Sequence, residues 1–196
     1  MSIKAMFLIM LLLFVIGILL GFFATLAFQS LGEIGFVKEL TKQIYGGAPT
    51  KFYSFDTALY IFGRNMLVAL ISIALGIAVF VPGLIVFANG FVVGLIAFFV
   101  TSLMQSPIVS IAAIAPHGII EIPAILLATG FGTKIGVEFW RYIVRRSKDE
   151  LLRTLRKAPM IIAIVALMLF AASIVETFVT PYIVSKILGV TITSQG

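Results

Sequence analysis

His117, the only histidine of the chain, stands four residues before Glu121 in the run Ala-Pro-His-Gly-Ile-Ile-Glu-Ile-Pro at 115–123. On a helix, positions four apart share a face, so the imidazole and the carboxyl can meet. We read Pro116 as opening that helix, at a position where its missing N–H costs nothing. Three chemistries fit such a pair inside an apolar stretch. It could offer two ligands to a divalent cation, or relay protons or bind a cation as intramembrane ionisable groups do. In the third, His117, Glu121, Asn89 and Asn65 satisfy one another and hold helices in register, with no substrate at all.

Absences narrow the choice. The chain has no cysteine, which excludes disulfides, thiolate metal sites and cysteine nucleophiles. There is no second histidine and no His-Glu-x-x-His pattern, and Glu176 is the only other carboxylate expected at membrane depth, which reads against a metalloprotease. No Gly-x-Ser-x-Gly motif points to a serine hydrolase. We therefore expect no enzyme and no cofactor, with a divalent cation at His117 and Glu121 as the one candidate ligand. Glu176, near a helix end, could also simply reach water.

The elements that must position these groups are membrane helices. Apolar residues make up 61% of the 196 and charged residues 11%, and the mean hydropathy is +1.20. A water-soluble core cannot absorb that much apolar surface. Several runs exceed the roughly 20 residues needed to cross a bilayer as a helix, and none alternates as barrel strands do. The fold class is all-α, a polytopic helical bundle forming one domain, with spans expected at residues 5–28, 60–81, 84–104, 108/116–138 and 158–180.

Local signals refine the spans. Gly17 and Gly21 in the first span, and Gly90 and Gly94 in the third, are small-residue steps that let helices approach closely. Residues 30–51 carry Ile34, Val37, Leu40 and Ile44 opposite Glu33, Lys38, Glu39 and Lys42, an amphipathic helix in the first outer loop that Gly46, Gly47 and Pro49 stop. Phe52, Tyr53, Phe55 and Tyr60 come next as an interfacial aromatic belt. Pro82-Gly83 reads as a tight turn, and Asn89-Gly90 as a locally irregular point in a helix. Asn65 and Asn89 should hydrogen-bond across helices. Residues 108–115 are too short to span. Either they form a re-entrant half-helix before Pro116, or one helix kinked at Pro116 crosses from 108. The broken version is preferred, because a residue before proline avoids helical dihedrals. It aims a positive helix end at whatever His117 and Glu121 bind. Pro116, Gly118 and Pro123 are thus helix-break and packing positions.

Residues 141–157 hold seven basic and two acidic side chains, the strongest positive cluster in a chain of net charge +6. The positive-inside rule puts this basic loop in the cytoplasm, and four preceding spans put Lys4 and the N-terminus there too, with the C-terminus outside. Arg145, Arg146, Lys148, Arg153, Arg156 and Lys157 are candidates for contact with anionic lipid or a protein partner, and not with nucleic acid.

Pro116-His117-Gly118 with Glu121, Asn89-Gly90 after Pro-Gly, Asn65 opening a span, and Ala-Ala-Ser-Ile-Val-Glu at 171–176 together resemble the stage II sporulation protein M family. The likeness covers nearly the whole chain. It implies a five-helix protein of the cytoplasmic membrane, whose sporulating members work with peptidoglycan-cleaving partners during engulfment. The expectation is a non-enzymatic membrane component or scaffold of a larger assembly, homo-oligomeric and in contact with lipid and membrane-protein partners. The alternative is a small ion or proton transporter or channel with His117 and Glu121 as its site.

Overall fold

A computed structural model describes residues 2–30, 53–146 and 148–189. The expected amphipathic helix of the first loop, Phe52, and the end of the chain past 189 lie outside the described residues. Among the described residues the regular elements are all helices, with no strand. It runs α1 (Ile3–Ser30), α2 (Phe55–Ala74) closed by a 3-10 turn (Leu75–Ile77), α3 (Val81–Met104), α4 (Pro107–Arg145), α5 (Asp149–Leu155), α6 (Ala158–Ile174), a π-helical turn (Val175–Val179) and α7 (Thr180–Leu188). Five stretches are long and apolar enough to cross a membrane: Ile3–Ala27, Phe55–Ile77, Val81–Met104, Pro107–Arg145 and Asp149–Leu188.

Helix α4 is the hub, packing against α1, α2, α3, α5, α6 and α7. Its Ala124, Leu126, Ala128 and Phe131 are buried against Met10 and Phe14 of α1, Ala69 of α2, Val86 of α3, and Val165 and Leu169 of α6. The outward faces are apolar as well: Leu8, Leu12, Phe23, Leu67, Ile119 and Leu167 are all exposed, as expected where lipid is the solvent. Lipid tails give helices no hydrophobic reason to associate, so close backbone packing must hold them.

Glycines supply that packing. A Cβ on Gly17 or Gly21 of α1 would run into the backbone at Phe87 and Phe91 of α3, and one on Gly90 or Gly94 of α3 into Phe14 and Ile18 of α1. The two glycine steps interlock, and α1 and α3 form the most extensive contact of the bundle. A second crossing joins α2 to α4: Gly76 faces Gly132, Gly132 faces Ser72, and Gly136 faces Gly76.

Three local expectations are corrected. No break or re-entrant segment precedes Pro116: α4 is one helix of 39 residues with Pro116 and Pro123 inside it. Each proline removes one N–H, leaving the carbonyls of Ala112 and Ile119 without their donor four residues on. With helices packed along one side and lipid rather than water expected on the other, α4 keeps its remaining bonds. What opens α4 is Pro107, after Gln105 in the left-handed region at φ 50° and Ser106 in extended backbone. Pro82-Gly83 is not the hairpin turn. The reversal lies at 78–80, and Pro82 sits in the first turn of α3, where no N–H is needed. Asn89-Gly90 causes no irregularity, since α3 is α-helical throughout; the glycine is there for the approach of Phe14. The basic segment is also mostly helix, with Arg145 ending α4, Arg146 reversing the chain at φ 53°, and Asp149 and Glu150 in the first turn of α5.

Candidate functional site

His117 and Glu121 do share a face of α4, but on a continuous helix, so no helix N-terminus points at them. Facing them is Glu176. One ligand atom from each of His117, Glu121 and Glu176 lies within 4.8 Å of the other two. All three side chains are half-buried. The π-helical turn that carries Glu176 interrupts the α register just where the last long helix passes α4, and such turns often re-aim a side chain at a site.

The surroundings tie this centre to three helices. Thr180, in the first turn of α7, places its Oγ1 3.4 Å from Nδ1 of His117, at the long edge of hydrogen-bond range. The Arg64 guanidinium of α2 lies close enough to Glu121 and Glu176 to interact with both carboxyl groups. Tyr53, at φ 60°, donates its backbone N–H to the carbonyl of Thr177 at 3.4 Å and sets its ring beside Phe178. The buried Thr177 hydroxyl has no hydrogen-bond partner among the described residues. At 1.5 Å per residue, Glu176 is about 27 Å along the helix from Ala158 and Arg64 about 14 Å from Phe55. The centre therefore occupies the half of the bundle away from the basic segment.

The two asparagines stand differently from expectation. Asn89 donates its Nδ2 to the Ile85 carbonyl of its own helix at 2.9 Å. No hydrogen bond joins Asn89 or Asn65 to His117, Glu121 or Glu176 among the described residues. A carbonyl one turn back is always within reach of a helical amide, so the cross-helix partner is unnecessary. The residue beside Asn65, Arg64, supplies the α2 contribution instead. Sequence alone does not single it out, because a lone arginine near a span end reads as an interfacial anchor. Gly118 is buried, yet a Cβ there would meet only Ile122 and Ile114 of its own helix, at 3.5 and 3.8 Å. It is not a helix-crossing point like Gly90 and Gly94.

A second ionic group lies farther along α4. Glu138, 3% exposed, accepts from Lys134 at 3.2 Å and from Arg141 at 3.2 Å. Nearby, Trp140 donates its indole N–H to the Ile77 carbonyl at 2.9 Å. The i, i+4 and i, i+3 spacings of these charges are visible in the sequence, but a charged helix end normally reads as solvated. Arg145, Arg146, Lys148, Arg153, Arg156 and Lys157 are exposed, and Arg153 pairs with Glu150 at 3.0 Å.

At the centre, two carboxyl groups against one guanidinium leave a single formal negative charge when the imidazole is neutral. Two facing carboxylates repel each other strongly at low dielectric, so the arrangement suits a proton or a cation held between them.

No curated protein and no solved structure matches the chain. The profile of the family described as Stage II sporulation protein M matches residues 8–181. With five helices fit to span a membrane and a match over most of its length, the chain belongs to the stage II sporulation protein M family.

Proposed function

We propose that this protein is a non-enzymatic component of the cell membrane that moves or gates an ion, taking up a proton or cation at His117, Glu121 and Glu176. One observation carries the reading: two chain segments far apart in sequence converge three ionisable groups within 4.8 Å of each other inside apolar helices. Such groups are costly at membrane depth and usually line an ion or proton path. The formal charge of the centre, with Arg64 counted, is neutralised by one proton, which favours a proton over a divalent cation. The sheltered imidazole can pass a proton on as well as hold it.

The test is flux in liposomes holding the purified protein. A pH gradient should drive proton movement that Glu121→Gln and Glu176→Gln each reduce at least tenfold, with folding checked by thermal melting. Absence of flux in the wild type would overturn the reading.

A second reading, a membrane component of a larger assembly whose polar centre only locks helices together, is supported by the glycine crossings. The interlocked backbones hold α1 against α3 and α2 against α4 at close approach. A protein of this kind would show no flux, and Glu121→Gln would change only its stability.

A further inference from the structure

The opposite end of α4 carries a feature that the ion-handling centre does not use. Between the turn after α2 and the last turns of α4 runs an open groove of about 450 Å³, lined by Val79, Val137, Trp140, Arg141, Val144 and Arg145. Its walls are apolar, and Arg141 and Arg145, one helical turn apart, are among the residues that line it. The groove is built rather than incidental. Trp140 is fixed as one wall by its hydrogen bond to the Ile77 carbonyl. Arg141, 47% exposed, is held by its ion pair with Glu138, and Arg145 one turn on is exposed. The close approach of Gly76 to Gly132 and Gly136 sets the distance between the groove's two sides.

We infer that this groove holds one anionic phospholipid, with an acyl chain along Val79, Val137 and Val144 and the phosphate on Arg141 and Arg145. The geometry matches that ligand in order along the helix. Apolar walls come first and cationic groups next, at the level where α2 ends and α4 outlasts the neighbouring span. An indole with an exposed face at this level belongs to the membrane interface. Glu138 answers Lys134 and Arg141 together, so Lys134, Arg141 and Arg145 exceed it in charge, and the rim attracts an anion. Arginine forks also fit phosphate oxygens two at a time.

The experiment is native mass spectrometry of the full chain released from detergent, with phosphatidylglycerol or phosphatidylcholine of identical acyl chains. The expected result is one retained phosphatidylglycerol in preference to phosphatidylcholine. Arg145→Gln, which removes a rim charge while leaving the Glu138 pairs in place, should weaken retention about fivefold, the usual effect of one basic residue near an anionic surface. Val144→Trp, which fills the groove, should weaken retention of both lipids. Lys186→Gln, an exposed basic position at the other end of the bundle, should change nothing. Equal retention by wild type and Arg145→Gln, or equal loss in Lys186→Gln, would overturn the assignment. So would displacement of the lipid by millimolar inorganic phosphate, which would mark a site for free anions.

Discussion

Glu138 is held against its environment by two cations, and the three members of this group do not matter equally. Its carboxyl group is 3% exposed and rests between Lys134, 15% exposed, and Arg141, 47% exposed. Removing the negative charge takes the carboxylate away from a sheltered ammonium, whereas removing Lys134 leaves the carboxylate still paired with Arg141. The costs are therefore unequal, since a buried charge that loses its counter-ion fares worse than one that keeps a partner. Glu138→Gln should cost about 3 kcal/mol, and Lys134→Met about 1 to 2 kcal/mol. Melting of both variants in one detergent gives the order, and the reverse order would mean that Arg141 alone does not hold the carboxylate. The His117 centre differs in kind. Its contact to Thr180 is long, so the imidazole is placed by packing and remains available to a ligand.

Among the elements, the glycine crossings determine which helices meet. At Gly90 a side chain would strike the backbone of Phe14, while at Gly63 of α2 nothing lies within 4 Å. Gly90→Leu should then cost about 2 to 3 kcal/mol or more by forcing α1 and α3 apart. Gly63→Ala should add about 0.5 to 1 kcal/mol, since it only removes helix-opposing backbone freedom. Chemical or thermal unfolding of the two variants checks the contrast. The same crossings show how far the sequence alone is legible. Gly17, Gly21, Gly90 and Gly94 stand at the right spacing in apolar runs, and the spans are read from hydropathy. Ser72, Gly76, Gly132 and Gly136 have that spacing too, but the motif is too common to pair helices without coordinates. The prolines mislead for a related reason. Dihedral preference before Pro116 argues for a break, and only the surrounding helices make continuity the better state. His117 and Glu121 are legible as a pair because four-residue spacing is local information. Their meeting with Glu176 and Arg64 depends on three-dimensional packing that no local pattern records.

For the molecule as a whole, the distribution of charge along the chain fixes an expected orientation. Arg145, Arg146, Lys148, Arg153, Arg156 and Lys157 gather where the fourth apolar stretch ends and the fifth begins, and Lys4 stands at the start of the first. An even number of crossings separates Lys4 from this segment, and one crossing separates the segment from Lys186. Positive residues stay on the cytoplasmic side, so single cysteines at Lys4 and Lys148 should be modified only from that side by an impermeant thiol reagent. A cysteine at Lys186 should react only from the other. The protein has no cysteine of its own, and all three positions are exposed, so labelling reports sidedness directly. Labelling of Lys148→Cys and Lys186→Cys from the same side would remove the last crossing. It would also carry Glu176 away from His117 and Glu121, whose approach depends on the fifth stretch traversing the bundle beside α4. On that expected orientation the His117, Glu121 and Glu176 centre would lie in the outer half of the membrane and the Trp140 groove near its inner face.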